Sequence, residues 1–279
     1  MQDAKISLER LNEIKEMDDE EPVGKPFVKQ LPADKSLSLK NITFTYPGAG
    51  NEPVLSNVSL DIPAGKTTAI VGMSGSGKTT ILKLILRFYE SQRGEIRVGN
   101  GYLAQVSFRY WRGLCGVVMQ DGFIFSDTIA RNIAVGDEYP DMIRLKQAIQ
   151  TANINDFIES LPLGLDTKIG LEGNGISQGQ RQRILIARAV YKNPEYILFD
   201  EATNALDSTN EKIIMQNLEE FFKGRTVVIV AHRLSTVIHA DNIVVLEKGH
   251  IIEQGTHAEL THNNGVYYNL VKNQLELAN

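Results

Sequence analysis

Gly72-Met73-Ser74-Gly75-Ser76-Gly77-Lys78-Thr79 fits the spacing G-x-x-x-x-G-K-[ST], and the chemistry of that pattern is the wrapping of nucleotide phosphates. Its glycines let the backbone curl until successive N–H groups point inward at phosphate oxygens. Lys78 adds positive charge toward the β- and γ-phosphates, Thr79 offers a hydroxyl to Mg2+, and Thr80 stands beside it as a further binding residue. The stretch therefore predicts binding of ATP or GTP. A second set of groups lies at Tyr196-Ile197-Leu198-Phe199-Asp200-Glu201, an apolar strand ending in two carboxylates. With the loop upstream, Asp200 is expected to hold Mg2+ and Glu201 to polarise the attacking water as general base. Without the loop, the same pair reads as a solvated acidic turn. His232 follows another apolar strand, Thr226 to Ala231. Gly72, Asp200, Glu201 and His232 thus each fall at the carboxyl end of a predicted parallel strand, the edge where such sheets bind ligands.

Ser177-Gln178-Gly179-Gln180 opens a further helix. Ser177 and Gln180 have capping-box spacing, and Gly179 permits close approach of a ligand. A helix N-terminus attracts anions, yet a single nucleotide already has one at Gly77. The economical expectation is that this turn serves a nucleotide bound to a second copy, two copies sharing two nucleotides across a two-fold interface. The plainer alternative is a well-capped helix and nothing more.

The elements that must position these groups are legible from periodicity. Lys66-Thr67-Thr68-Ala69-Ile70-Val71 reads as a short buried strand, and Thr79 to Tyr89 as a helix apolar nearly all round, fit to lie between layers. Leu37 and Leu39 alternate, then Ile42, Phe44 and Tyr46 alternate on the other parity, so a bulge or bend is expected near Lys40-Asn41. Val58, Leu60 and Ile62, and then Glu95 to Val98, give further half-buried strands of a side antiparallel layer. From 121 to 192 the pattern is mostly helical. Tyr196–Phe199 and Val227–Val230 are continuous apolar runs, as parallel strands covered on both faces should be. Ser208-x-x-Glu211 and Thr256-x-x-Glu259 are capping-box openings. The fold class is α/β: a phosphate-loop core with a mainly parallel sheet, an antiparallel β side layer and an inserted helical subdomain.

Ahead of that domain, residues 3–17 read as a helix with Ala4, Leu8, Leu11 and Ile14 on one stripe. Acids 18–21 and prolines 22, 26 and 32 then break the pattern, giving an expected helix and linker over 1–35 and a main domain over 36–279. The lone stripe must either dock on the main domain or belong to a longer chain.

With 279 residues, 42% hydrophobic and 23% charged, the chain can build a substantial core. A net charge of −5 disfavours a dedicated nucleic-acid binder, which shows a basic face. The one cysteine, Cys115, allows no internal disulfide and has no activating constellation around it. No apolar run reaches bilayer-spanning length and the acidic N-terminus is unlike a signal peptide, so this stretch is expected to be soluble and cytosolic.

Together these residues resemble the nucleotide-binding domain of ABC transporters over 37–275. Ile176-Ser177-Gln178-Gly179-Gln180 is similar to the family's signature motif and stands between the phosphate loop and the Asp-Glu strand, the family's order. The resemblance implies that Tyr46 stacks on adenine, that Gln120 touches Mg2+ and the attacking water and couples to the membrane domain, and that Asn204-Ala205-Leu206-Asp207 crosses a dimer interface. It implies that His232 contacts the γ-phosphate. Gln178 replaces the more usual glycine and Asn204 the more usual serine; with Lys78, Asp200, Glu201 and His232 all matching, ATP binding and hydrolysis are still implied. Implied with these are ATP and Mg2+ as ligands, and as partners a second copy in a head-to-tail homodimer and the transmembrane domain of the same transporter, at the cytoplasmic face of the cell membrane.

The stretches 121–126 and 128–133 are similar to the exporter class, in which both parts share one chain, and 7–14 looks like the helix leaving its last membrane span. Tyr110-Trp111-Arg112 to Gln120 resembles bacterial peptide (bacteriocin-type) exporters, some of which carry a leader peptidase. Phe123 or Phe125 is then expected to line an apolar groove that receives a membrane-domain helix. Two rival readings are a soluble ABC ATPase acting on ribosomes or DNA, and a regulatory module that binds ATP without splitting it. The intact acids oppose the second; acidity and the lack of paired domains or a coiled-coil insertion oppose the first.

Overall fold

Strands whose every residue is apolar can be buried only if both faces of their sheet are covered, and this is what the chain builds. The computed structural model describes residues 5, 10–12, 15–16, 19–24, 26–170, 173, 175–231 and 234–277. The strands, in chain order, are β1 (Leu37–Phe44), β2 (Leu55–Ile62), β3 (Thr67–Val71), β4 (Arg93–Val98), β5 (Gly101–Tyr102), β6 (Cys115–Val118), β7 (Asp127–Thr128), β8 (Lys168–Ile169), β9 (Tyr196–Asp200), β10 (Thr226–Val230), β11 (Asn242–Glu247) and β12 (His250–Gly255). Six form one sheet in the order β12-β11-β3-β10-β9-β6, parallel except for β12 at its edge. Four form an antiparallel sheet, β2-β1-β4-β5.

Successive residues of a strand point to opposite faces, so each central strand feeds two cores. Ala69, Ile197, Phe199, Val227 and Ile229 join one apolar cluster, shared with helices of the 121–192 stretch and with the Ser208–Phe222 helix. Ile70, Leu198, Val228 and Val230 join the other, shared with the antiparallel layer. The helix that follows the phosphate loop, Lys78–Ile85, lies in this second cluster, with Ile81, Leu82, Leu84 and Ile85 all buried. It is the all-round apolar helix between layers that its sequence predicts, but it is shorter. Arg87 turns left-handed (φ 56°), the helix ends at Ile85 rather than Tyr89, and Phe88 is exposed.

The expected slip in β1 is present. Its register with β2 shifts between Leu39 and Ile42, and Asn41 takes a φ of 52°. A Cβ on Gly94 opposite would meet the Lys40 carbonyl oxygen at 2.3 Å, so the bulge needs glycine there. One helix start is corrected: Ser208 is not a cap. Asp207 caps that helix through its carboxylate, which accepts from the Asn210 N–H at 3.0 Å, while Glu211 is buried beside Thr203. Within 121–192 the helices Ile129–Ile133, Met142–Thr151, Asn155–Glu159 and Gln178–Tyr191 carry a small ribbon, β7 with β8.

The described residues of the expected leading helix, Lys5, Arg10–Asn12 and Lys15, are helical, and Leu11 is exposed. The acidic segment after it docks on the domain. Glu20 pairs with Arg112 through two bonds (2.6 and 2.8 Å), Glu21 accepts from Ser107, and Val28 bridges to Val106. Among the described residues no helix is long and apolar enough to cross a membrane.

Candidate functional site

The loop of Gly72 to Thr79 leaves the carboxyl end of β3, and two of its glycines are fixed by packing. A Cβ on Gly72 would lie 2.1 Å from the Leu246 carbonyl oxygen, and one on Gly77 would lie 2.7 Å from the Leu55 side chain. Gly75 differs: it has a φ of 78° but faces no protein atom within 4 Å. Gly75 therefore sits on the loop's open side, where a ligand's oxygens can meet backbone N–H groups. Lys78 is buried at the base of the helix and spans the loop, its Nζ donating to the Gly72 and Met73 carbonyls at 2.9 Å each. Burial lowers its affinity for its proton, and Glu201 and Asp200 work against that loss. The Ser76 hydroxyl is buried without a hydrogen-bond partner among the described residues. An anion seated in the loop would satisfy it.

β9 carries the two acids to the same edge. The Thr79 hydroxyl donates to Asp200 Oδ2 at 2.8 Å, which joins the loop to the strand end across 121 residues of sequence. Asp200 Oδ1 is buried and has no partner among the described residues. Desolvation raises its pKa, with Glu201 adding to the rise and Thr79, Lys78 and Lys83 opposing it. A buried carboxylate with one orphaned oxygen beside a threonine hydroxyl fits Mg2+, a hard cation that takes oxygen ligands and keeps most positions for phosphate and water. Among the described residues there is no group of three or more His, Cys, Asp or Glu that could hold a metal ion.

Glu201 sits one residue beyond the strand with a φ of 52°, a conformation that L side chains adopt at a cost of about 1–3 kcal/mol. Its N–H is tied to the Val230 carbonyl at 3.0 Å, and its Oε2 accepts from the Asn204 amide at 2.5 Å. That last contact was not legible in the sequence, where Asn204 is only a departure from serine. β6 lies next to β9 in the sheet, so Gln120, two residues past β6 and exposed, is delivered to the same edge. His232 lies outside the described residues. Tyr46 is half-buried in a trio with Phe44 and Tyr89 (centroids 5.0 and 5.2 Å), its hydroxyl 3.0 Å from Thr80 on the phosphate-loop helix. The structure thus brings Tyr46 to that helix.

The Ser177 turn is built differently. The predicted capping box forms: Ser177 accepts from the Gln180 N–H and the Gln180 side chain accepts from the Ser177 N–H. Ser177 and Gln178 are exposed, and Gly179 lies against the 204–207 segment, where a Cβ would meet the Ala205 carbonyl oxygen at 3.3 Å. Asp207, at the end of that segment, spends its carboxylate on the cap described above, and the bonds to Asn210 hold it below the usual carboxylate range. Phe123 and Phe125 are both exposed and touch edge to face, with centroids 5.2 Å apart. Cys115 is buried, and desolvation pushes its thiol up to about 12, leaving it inert.

A family model described as ABC transporter matches residues 55–204. Over 272 residues the chain is 45% identical to the leukotoxin translocation ATP-binding protein LktB of Mannheimia haemolytica, an alignment that takes in 97% of this chain and 38% of that protein. The figures are the same for LktB of Bibersteinia trehalosi. The chain therefore spans well under half the length of these relatives. Among solved structures, a bacterial Atm1-family ABC exporter with ATP bound superposes with a TM-score of 0.87 at 35% identity, over 98% of this chain and 47% of that one.

Proposed function

Since this chain belongs to the ABC transporter family, we propose that it is the ATP-binding and ATP-hydrolysing part of an exporter. It would occupy the cytoplasmic face of the membrane, with residues 1–35 leading in from the membrane-spanning part and 36–279 forming the nucleotide-binding domain. The observation that carries the reading is the Thr79–Asp200 bond with the orphaned Asp200 oxygen beside it, at the mouth of a phosphate loop. Asp200 and Thr79, with Gln120 swung in, would hold Mg2+, which when bound supplies charge neutralisation between phosphate oxygens. Lys78 and the N–H groups of residues 74–80 bind and orient the phosphates, and Tyr46 stacks on the adenine.

In the hydrolytic step a water oxygen attacks the γ-phosphorus while the bond to the ADP oxygen breaks. Glu201, turned by its positive φ, takes the water's proton, and Asn204 fixes that carboxylate's orientation. Lys78 and His232 stabilise the charge on the transferring group. The Ser177–Gln180 turn and Asp207 of a second copy, placed head to tail, close over the nucleotide; hydrolysis reopens the pair. Gln120 and the exposed Phe123 and Phe125 face the membrane part of the same transporter. The Tyr110–Gln120 stretch favours a peptide as cargo. Steady-state ATP hydrolysis by this chain tests the reading, with Glu201→Gln as the control: equal turnover by the two forms sinks it.

A further inference from the structure

Three side chains outside the hydrolytic set hold the loop that follows Gln120. On the Gln178–Tyr191 helix, positions 181, 185 and 188 are spaced four and three apart and so share one face. Arg181 Nε donates to the Gly122 carbonyl at 3.0 Å, and its Nη2 grips the same oxygen. Leu185 packs where a Gly122 Cβ would stand, 2.4 Å from its Cδ1. Arg188 Nη1 donates to the Phe123 carbonyl at 2.8 Å, its Nε to the Asn132 carbonyl at 2.7 Å and its Nη2 to Asn132 Oδ1 at 3.3 Å. Asn132 is fully buried and carries the grip onward. Its Oδ1 accepts from the Phe125 N–H at 2.8 Å, and its Nδ2 donates to the carbonyls of Phe125, Asp127 and Thr128 at 3.0–3.3 Å.

Arg188 is an expensive residue to place here. Burial alone pushes its pKa down to about 10, and the bonds that compensate its charge go to carbonyl and amide oxygens. An aliphatic side chain would pack at less desolvation cost. What the guanidinium adds is direction, because its planar fork fixes the Phe123 loop carbonyl together with the carbonyl and side-chain amide oxygens of Asn132 to a single helix face.

We propose that Arg181, Arg188 and Asn132 are positioning residues that lock the loop after Gln120 to the helix presenting Ser177. Displacement at Phe123 or Phe125 then reaches Ser177, about 16 Å along the helix from Arg188, as one rigid movement. This inference rests on the reading of Gln120 and Ser177 given above. It is tested on the full chain with Arg181→Gln, the double variant Arg181→Gln/Arg188→Gln, and the conservative Arg188→Lys. Losing charge-assisted bonds should speed amide exchange over 123–128 about tenfold or more in the double variant, with β9 and β10 protected as before. The kcat for ATP should fall about tenfold, KM staying within about twofold, with Arg188→Lys intermediate. Should the double variant not fold, exposed Arg181→Gln alone should show both effects at about threefold. Unchanged exchange over 123–128 overturns the proposal, and so does faster exchange with unchanged kcat. Full turnover by Glu201→Gln, measured alongside, instead overturns the underlying assignment of the site and removes the link to Gln120, even with the exchange difference intact.

Discussion

The phosphate loop and the Ser177 turn are both helix N-termini, yet they are finished to opposite degrees. At the first, a Cβ on Gly72 or Gly77 would clash, and Ser76 Oγ and Asp200 Oδ1 are buried with no partner among the described residues. At the second, the capping box closes the turn on itself and Ser177 stands exposed. Buried polar atoms without partners lower stability until something bonds to them, so the first region is incomplete without a ligand. The second is complete as a helix cap, and any further role for it must come from a surface that approaches it. On the proposed reading, this contrast is what would let one chain bind a nucleotide and still depend on a second copy to act on it.

That contrast can be broken by experiment. The largest expected effect is at Glu201. Replacing it with Gln should cut hydrolysis by about 10²–10⁴-fold with ATP affinity nearly kept, and should leave an ATP-stabilised dimer visible by light scattering. A turnover loss without any dimer would confine the chemistry to one copy and demote the Ser177 turn to a cap. Next come the glycines, compared in pairs. Gly72→Ala combines positive φ with a clash against backbone and should cost about 3–5 kcal/mol in denaturant unfolding, whereas Gly75→Ala should cost only about 1–2 kcal/mol and chiefly weaken ATP binding. Equal losses would mean that the loop's open side is not a binding face.

Lys78→Ala removes the buried cation. ATP affinity measured by calorimetry should weaken by about 1.4–2.8 kcal/mol, ten- to a hundredfold. Asp200 gives a pH test. Its folded pKa is raised, so protonation favours the folded state. The stability it contributes is present below the ordinary carboxylate range and is lost as pH rises through the raised value. Binding of Mg2+ needs the ionised form, so Mg2+-dependent ATP affinity should strengthen over that same rise, and Asp200→Asn should flatten the dependence. The smallest effect belongs to Ser177→Ala. Loss of the cap should lower stability by about 1 kcal/mol in thermal unfolding of the free chain. If the turn also serves a second copy, ATP-driven dimerisation of the Glu201→Gln form should weaken beyond that figure; an unaltered dimer would leave the turn as a cap alone.

Much was fixed by local pattern. The phosphate loop needs eight consecutive positions, the bulge in β1 shows as a change of parity at Lys40-Asn41, and the capping boxes at Ser177 and Thr256 need three-residue spacings. All of these are decided within one turn of chain, and the backbone obeys them wherever it is placed. Even the parallel strands are local in this sense, since the runs Tyr196–Phe199 and Val227–Val230 can be apolar throughout only if both faces are covered.

The tertiary structure decided what local pattern leaves open. The Ser208-x-x-Glu211 spacing pointed to Ser208 as a cap, and the packed chain places Asp207 there instead. The helix after the loop stopped at Ile85 because Arg87 turns away to bond the carbonyls of Ala104 and Val106, 17 and 19 residues on. Asn204 became the partner of Glu201, and Arg181 and Arg188 found the Gly122 and Phe123 carbonyls across 59 and 65 residues. Nothing periodic announces such contacts. A side chain that reaches a distant carbonyl does so because two separate elements have packed against a shared core, and a spacing rule within either element carries no trace of the other.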